Sequence, residues 1–297
     1  MTRDGVLTID KPVGLTSHDV VARIKKSLRA QKVGHTGTLD PFATGVLVLG
    51  INQGTKIIPY LDRTEKEYRA VMVLGVGTDT QDTTGTVIET GDASGITRKD
   101  LERAMDDFMG EGEQCPPRFS AIKVGGVRLY EFARRGFDVE VSKRPITIYA
   151  LSLVDFSPPE ATFLVTCSPG TYIRTLAVDI GVKLGVPAHL RELKRTRSGP
   201  FSLSGAHSLD EVISREDGGW ELITSMREAI GDMIEVPINH REMSQVANGG
   251  PLIVSDEEEV SVGSTVKLVH EGRLVALARV ERNRGVNIKP IKVFQVS

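Results

Sequence analysis

The sequence predicts an α+β protein in two parts, a larger mixed domain and a small β-rich module. Three observations carry this prediction. Apolar residues recur at helical spacing in several separate segments. Between those segments lie short apolar or alternating runs bounded by Gly, Pro and Asp, the pattern of strands and turns. After about Gly231 the texture changes to short β-branched runs alternating with Gly and acidic turns, which divides the chain into residues 1–231 and 232–297.

Along the chain, Ser17 caps a predicted helix running to about residue 30. Val20, Val21, Ile24 and Leu28 recur at helical spacing there, with Arg23, Lys25, Lys26 and Arg29 on other faces. Residues 34–45 are loop-like, and residues 46–51 form an almost wholly apolar run that reads as a buried strand. Residues 68–77 give a second, less regular strand. Thr97 and Asp100 resemble a capping box ahead of Leu101, Ala104, Met105 and Phe108, so a helix follows. Gly125 and Gly126 mark a turn, and residues 129–135 a short helix. Residues 146–156 and 162–167 read as strands separated by a Ser-Pro-Pro turn. Ile173, Leu176, Ile180 and Leu184 predict a helix over 172–184 that ends at Gly185. Acidic helices at 208–213 and 220–230 close the larger domain. Residues 251–255, 265–270, 273–280 and 291–296 are the strands of the module.

Composition narrows the function classes. The chain has 297 residues, 26% of them charged, with 37 Lys and Arg against 39 Asp and Glu, a net charge of −2. That excludes a uniformly basic nucleic-acid binder but leaves room for local basic faces. The charges are in fact separated. Residues 205–262 hold 13 acidic and 3 basic side chains, including the run Asp256, Glu257, Glu258, Glu259. Residues 116–145 hold 7 basic and 3 acidic ones, and residues 263–297 hold 7 basic and 2 acidic ones. A further basic stretch spans Arg191, Lys194, Arg195 and Arg197. Basic side chains interleaved with Tyr130, Phe132 and Phe137 point to a polyanion. The first residues, MTRDGVLTIDKPVG, contain no apolar leader core, and no apolar run is long enough for a bilayer, so a cytoplasmic, membrane-free protein is expected. Cys115 and Cys167 are expected as reduced thiols. No metal-ligand cluster or phosphate-binding loop is present, and Thr80 stands where a dinucleotide fingerprint begun by Gly75 and Gly77 needs glycine, so no metal and no cofactor are expected.

Residues 32–50, KVGHTGTLDPFATGVLVLG, are the most informative. A Gly-rich connection with an Asp-Pro turn is ordinary by itself. Here His35, Thr36, Thr38, Asp40 and Thr44 concentrate in one loop beside an apolar strand, and Gly34, Gly37 and Gly45 permit close backbone approach. Pro41 restricts Asp40 to extended backbone, which fixes the only carboxylate of the loop. This is the pattern of an active-site loop.

These residues also carry a resemblance. GHTGTLDPFATGVL resembles the signature of the TruB family of pseudouridine synthases. The likeness extends over nearly the whole chain, through GVLTIDKPVGLTSHDVV, EKEYRAVMVLGVGTDTQDTTG and CSPGTYIRTLAVDIG. PPRFSAIKVGGVRLYEFARRG is similar to the family's RNA-gripping insertion, placed at about 116–145, and residues 232–297 resemble a PUA domain with weaker motifs. The resemblance implies a largely antiparallel sheet flanked by helices, the pseudouridine synthase fold. It also implies isomerisation of uridine 55 in the TΨC loop of tRNA, without metal, cofactor or obligate protein partner. By residue it makes Asp40 the nucleophile, Arg174 its ion-pair partner and Tyr68 the side chain against the target base. Tyr172 and Leu193 would line the uridine pocket, His35 would support the flipped RNA loop, and Lys11 would lie near the site. Asp82 has a family counterpart of unassigned role. Arg118, Lys123, Arg128, Arg134, Arg135, Arg195 and Arg197 would grip the RNA through phosphates.

The chemistry suits these residue types. A carboxylate can attack and leave again, splitting one hard step into two, and a nearby guanidinium favours the ionised form it needs. A stacked uridine must be flipped out to be reached. Three positions for Asp40 stay open: attack at C1′, attack at C6, or base toward C2′. Two rivals also stay open, a guide-RNA-dependent synthase subunit and a non-catalytic tRNA-binding or chaperone protein using the same groove.

Overall fold

β1 (Gly5–Lys11) leads into α1 (Ser17–Ser27), and β2 (Val33–His35) and β3 (Thr44–Ile51) flank the Asp40 loop. α2 (Ile58–Leu61) precedes β4 (Lys66–Leu74), and β5 (Val76–Thr78) pairs with β6 (Val87–Thr90) in a separate hairpin. α3 (Arg98–Asp106) and β7 (Gly110–Gln114) lead to a hairpin of β8 (Lys123–Val124) and β9 (Val127–Arg128), followed by α4 (Leu129–Arg134). β10 (Arg144–Ser157), β11 (Glu160–Cys167), α5 (Ile173–Lys183) and β12 (Ala188–Ser198) complete the central layers. Short elements follow: β13 (Phe201–Ser202), β14 (His207–Ser208), α6 (Leu209–Ser214), β15 (Thr224–Ser225) and α7 (Met226–Ala229). The last part comprises β16 (Glu235–Pro237), α8 (His240–Ala247), β17 (Leu252–Val254), β18 (Thr265–His270), β19 (Arg273–Arg282) and β20 (Val286–Val293). This computed structural model describes residues 3–137, 139–254, 260–282 and 286–295. The acidic run at 256–259 and the predicted strand ends at Ser255 and Val296 lie outside the described residues.

The main sheet runs β14-β1-β3-β12-β4-β11-β10-β7, with β2 on β3, β15 on β1 and β13 on β12. Its pairs are antiparallel except β1 with β14 and β3 with β12. It is therefore the mixed, largely antiparallel sheet flanked by helices that was expected. A second sheet, β16-β18-β19-β20-β17, forms the β-rich C-terminal part.

The apolar run of β3 has a direct cause, burial on both faces. Leu47, Leu49 and Ile51 join the helix-side core with Val20 and Ile24 of α1, Leu28 just past its end, Leu101 and Met105 of α3, and Leu176 and Ile180 of α5. Val46 and Val48 face the other way, into a cluster with Val6, Ile57, Leu61, Met226, Leu274, Leu277 and Phe294. The second sheet therefore docks on the back of the main one through apolar side chains, while Val236, Val266, Leu268, Val275 and Ile288 fill its own core.

β3 and β12 approach unusually closely where the Asp40 loop rejoins the sheet. Gly45 has φ +100° there, and a Cβ on it would lie 2.2 Å from the Arg195 carbonyl oxygen. Gly45→Ala is expected to cost on the order of 3 kcal/mol through backbone strain and overpacking, read as a lowered urea midpoint.

Several expectations need correction. Thr16, not Ser17, caps α1, in a capping box with Asp19, because the Ser17 hydroxyl is engaged by Leu39. The predicted helix at 220–230 is instead a 3₁₀ turn at Trp220–Leu222, the strand β15, and the short helix α7 capped by Ser225 with Glu228. Pairing of Thr224 and Ser225 with β1 interrupts it. The basic stretch around Leu193, which has no strand-like alternation, is the central strand β12, whose partners β3 and β4 are distant in sequence. The helix α8 was not anticipated, although Asn239 and Glu242 form a legible capping box.

Candidate active site

The Asp40 loop is held from several sides. Ala43 N–H donates to the Asp40 carbonyl at 3.1 Å, closing a turn with Pro41 at its second position. The Ser17 hydroxyl accepts from Leu39 N–H at 2.9 Å and donates to Leu39 C=O at 3.1 Å, so α1 grips the residue before Asp40. Gly14 N–H donates to the Pro41 carbonyl at 2.8 Å. Lys11 is fully buried and its ammonium donates to the carbonyls of Pro12 (2.9 Å), Leu15 (2.7 Å) and Pro41 (3.5 Å). Lys11, expected near the site, lies beneath the loop, satisfied by carbonyls and buried, so it stands as a brace of the loop rather than a group open to substrate. Burial pushes its pKa down to about 8, which leaves it mostly protonated at neutral pH.

Above this base sits Arg174, in the first turn of α5 and buried. Its Nε lies 2.9 Å from Asp40 Oδ2, and its Nη2 donates to Asp40 Oδ1 at 3.3 Å, a two-point contact between fork and carboxylate. Nη1 donates to the Thr80 carbonyl at 2.7 Å and lies 3.5 Å from Asp82 Oδ2; Nη2 also donates to the Phe119 carbonyl at 2.9 Å. Asp82 is buried and fixed by the hydroxyls of Thr80 and Thr84. One guanidinium thus joins the loop, the β5–β6 connection and the start of the insertion. The sequence singled out Asp82 without a role; it is the second carboxylate on Arg174. The carbonyls of Thr80 and Phe119 have no side-chain signature and were missed.

Burial raises the Asp40 pKa above its ordinary value, Asp82 adds to this, and Arg174 opposes both. The reading of Asp40 as a nucleophile needs the ionised form. Activity is therefore expected to fall on acidification, with the acid limb of a kcat/KM profile lying above the ordinary carboxylate range.

Tyr68 and Leu193 are neighbours by register. In the β4–β12 ladder Leu193 opposes Ala70 and Arg195 opposes Tyr68, which places these four side chains on one face of the sheet. Tyr68 is buried, which holds its hydroxyl pKa above 10.0, while the adjacent Arg195 pulls it down. Tyr172 caps α5, and Gln114 clamps its backbone, donating to its carbonyl at 3.0 Å and accepting from its N–H at 2.8 Å. Tyr172 thus directly precedes the helix that carries Arg174. His35 ends β2 at the start of the loop, and burial keeps its pKa low, so the ring is neutral. His35 Nδ1, Thr36 Oγ1 and Ser120 Oγ are buried without a hydrogen-bond partner.

The basic residues divide into two groups. Arg118, Lys123, Arg128, Arg134 and Arg135 are exposed on the segment that includes the β8–β9 hairpin and α4. Lys123 stands directly across from Arg128 in the hairpin, a like-charge pair that disfavours itself unless an anion is near. Arg128 and Arg134 both stack on the Tyr130 ring, at 5.8 and 5.3 Å. The β12 residues, also expected to grip the RNA, are engaged within the fold. Arg195 is 1% exposed, donating to the carbonyls of Val46 (2.6 Å) and Gly37 (3.2 Å). Arg197 is paired with Glu65 at 2.8 Å and Glu67 at 3.8 Å, and Arg191 with Glu160 and Glu192. Glu65, Glu67 and Glu160, brought in from elsewhere in the chain, neutralise Arg197 and Arg191, which local sequence could not reveal.

Among the described residues no three His, Cys, Asp or Glu side chains are grouped to hold a metal. Cys115 and Cys167 are free thiols. No described helix is long and apolar enough to cross a membrane. What the site offers is one half-buried carboxylate on an arginine fork, two aromatic hydroxyls and an apolar wall, beside an exposed basic arm.

The chain resembles known proteins over most of its length. The family model of the TruB pseudouridylate synthase N-terminal domain matches residues 25–173, and that of the tRNA pseudouridylate synthase B C-terminal domain matches residues 174–228. A tRNA pseudouridine synthase B of Geobacter sulfurreducens is 44% identical over 282 residues, 93% of each chain. That of Bacillus subtilis is 40% identical over 301 residues, 98% of this chain and 97% of its own. Among solved structures, a chain of an H/ACA RNP bound to a substrate RNA matches with TM-score 0.74 at 28% identity. A chain of a Cbf5–Nop10–Gar1 complex matches with TM-score 0.75 at 30% identity, and each match covers 98% of this chain and 85% of the other.

Proposed function

Because the chain belongs to the TruB family of pseudouridylate synthases, and is therefore an isomerase, we propose that it acts alone on tRNA, converting uridine 55 of the TΨC arm to pseudouridine with Asp40 as nucleophile. The observation that carries this reading is the two-point contact between Arg174 and Asp40, on a loop braced from α1, β1 and β12.

In this reading the target uridine is flipped out of its loop and enters above Asp40. Asp40 assists cleavage of the N1–C1′ bond, and the detached uracil turns to present C5. The C5–C1′ bond then forms, C5 loses its proton and N1 gains one, so the product is an isomer and no co-reactant is consumed. Arg174 holds Asp40 ionised and aimed. Tyr68 lies against the ring as proton acceptor at C5, and Leu193 and Tyr172 form the walls. His35, at the start of the loop, supports the flipped RNA. Residues 1–231 form the catalytic domain and residues 232–297 a PUA-like RNA-binding module, and the protein works in the cytoplasm.

The exposed cations of residues 116–145 serve as the phosphate grip. Arg134→Glu with Arg135→Glu is expected to weaken tRNA binding and to make its dependence on salt shallower by about 2 in log–log slope, measured by filter binding across salt concentrations.

The similarity to chains of H/ACA RNP and Cbf5–Nop10–Gar1 complexes favours one second reading, a subunit that needs guide RNA and partners. The basic insertion argues for the stand-alone enzyme, since it supplies a grip of its own. The purified chain, given only an unmodified tRNA transcript, should convert one uridine per molecule. Turnover that appears only after guide RNA or further proteins are added would favour the second reading.

A further inference from the structure

We infer that Arg195 is a positioning residue for the reaction, tying both ends of the Asp40 loop to the strand that carries Tyr68. The inference rests on the roles proposed above for Asp40 and Tyr68. Its starting point is a cation in a costly place. Arg195 is 1% exposed, and among the described residues no carboxylate lies within ion-pair distance of it. Burying a charge without a counter-ion opposes folding, and an apolar side chain of similar volume would fill such a space at less cost. The guanidinium therefore needs a reason other than packing.

Register supplies one. Arg195 pairs with Tyr68 on β4 and with Gly45 on β3, so it stands between the strand of the proposed proton acceptor and the strand that leaves the nucleophile loop. Its side chain reaches both loop ends. Nη2 donates to the Gly37 carbonyl at 3.2 Å on the side before Asp40, and Nε donates to the Val46 carbonyl at 2.6 Å on the side after it. Directly across the ladder, on the same face of the sheet, stands Tyr68. Gly45 has no side chain to interfere where the Arg195 backbone crosses it. One rigid, planar group thus ties both ends of the Asp40 loop to the strand position opposite Tyr68.

The chemistry needs such a link. When the C5–H bond breaks, its electron pair returns to the ring and its proton passes to the Tyr68 oxygen, whose own proton leaves for solvent. Burial keeps that hydroxyl protonated, and the neighbouring guanidinium opposes burial, which favours the phenolate form able to accept. Lysine keeps the charge but cannot reach Gly37, Val46 and Tyr68 together with a planar fork.

The test is a double-mutant cycle of Arg195→Lys and Tyr68→Phe. It uses the full chain and an unmodified tRNA transcript carrying hydrogen or deuterium at uridine C5. Arg195→Lys should lower kcat by about 30-fold, with KM and the salt slope of tRNA binding unchanged, and should enlarge the deuterium effect on kcat. In the Tyr68→Phe background the same change should add less than about twofold. Unchanged kcat, additive losses, or a loss confined to KM with a shallower salt slope would overturn the inference. If Arg195→Lys proves too unstable to measure, Arg195→Gln keeps a donor for Val46, removes the charge, and carries the same expectations. Wild-type turnover on the same transcript keeps the two levels apart. If the wild type makes no pseudouridine, the proposed function fails; if it does and the cycle is additive, only the role of Arg195 fails.

Discussion

Asp40→Asn is expected to abolish pseudouridine formation, by about 10⁴-fold or more, while tRNA affinity stays within a few fold of wild type. The substitution is nearly isosteric. The amide oxygen can still accept from Arg174, so the turn closed by Ala43 and the brace on Leu39 by Ser17 should persist. What is lost is the negative charge and the ability to attack and leave. Binding survives because the proposed phosphate grip lies elsewhere, on Lys123, Arg128, Arg134 and Arg135. A non-catalytic tRNA-binding protein would instead lose nothing measurable in this variant. The check is a single-turnover assay paired with a binding isotherm at one salt concentration.

Arg174→Met should have the second-largest effect, and on two quantities at once. Activity should fall on the order of 10³-fold, because the group that orients Asp40 and keeps it ionised is gone. Stability should fall by about 3 kcal/mol, because the buried Asp82 carboxylate and the carbonyls of Thr80 and Phe119 lose their donor. The Asp40 pKa, already raised by burial, loses its main opposing influence and should rise further, moving the acid limb of kcat/KM upward. Arg174→Lys restores charge without the fork and should fall between, with stability recovering more than activity. Equal losses in both variants would mean that the charge matters little beside the geometry.

Much of the fold was legible because it is written locally. β3 could be read from its apolar run, α3 from the Thr97–Asp100 capping box, and α5 from the spacing of Ile173, Leu176 and Ile180. β12 could not, because its charged side chains are accommodated by strands far away in sequence. Glu65 and Glu67 meet Arg197, and Glu160 meets Arg191. The same limit misplaced Arg195, whose burial depends on Gly37, Gly45 and Val46 closing over it. At the site, composition and Pro41 were enough to mark Asp40. Its pairing with Arg174 came from family resemblance, since 134 residues of sequence separate the two. The roles of Asp82 and the Phe119 carbonyl needed the three-dimensional structure, since one guanidinium collects them from separate segments.

The most direct measurement is site-resolved detection of pseudouridine in an unmodified tRNA transcript after incubation with the purified chain, run beside the Asp40→Asn variant. A single pseudouridine at position 55 with the wild type, and none with the variant, is the expected result. Pseudouridine at another position, or turnover by Asp40→Asn, would contradict the assignment of substrate or nucleophile respectively.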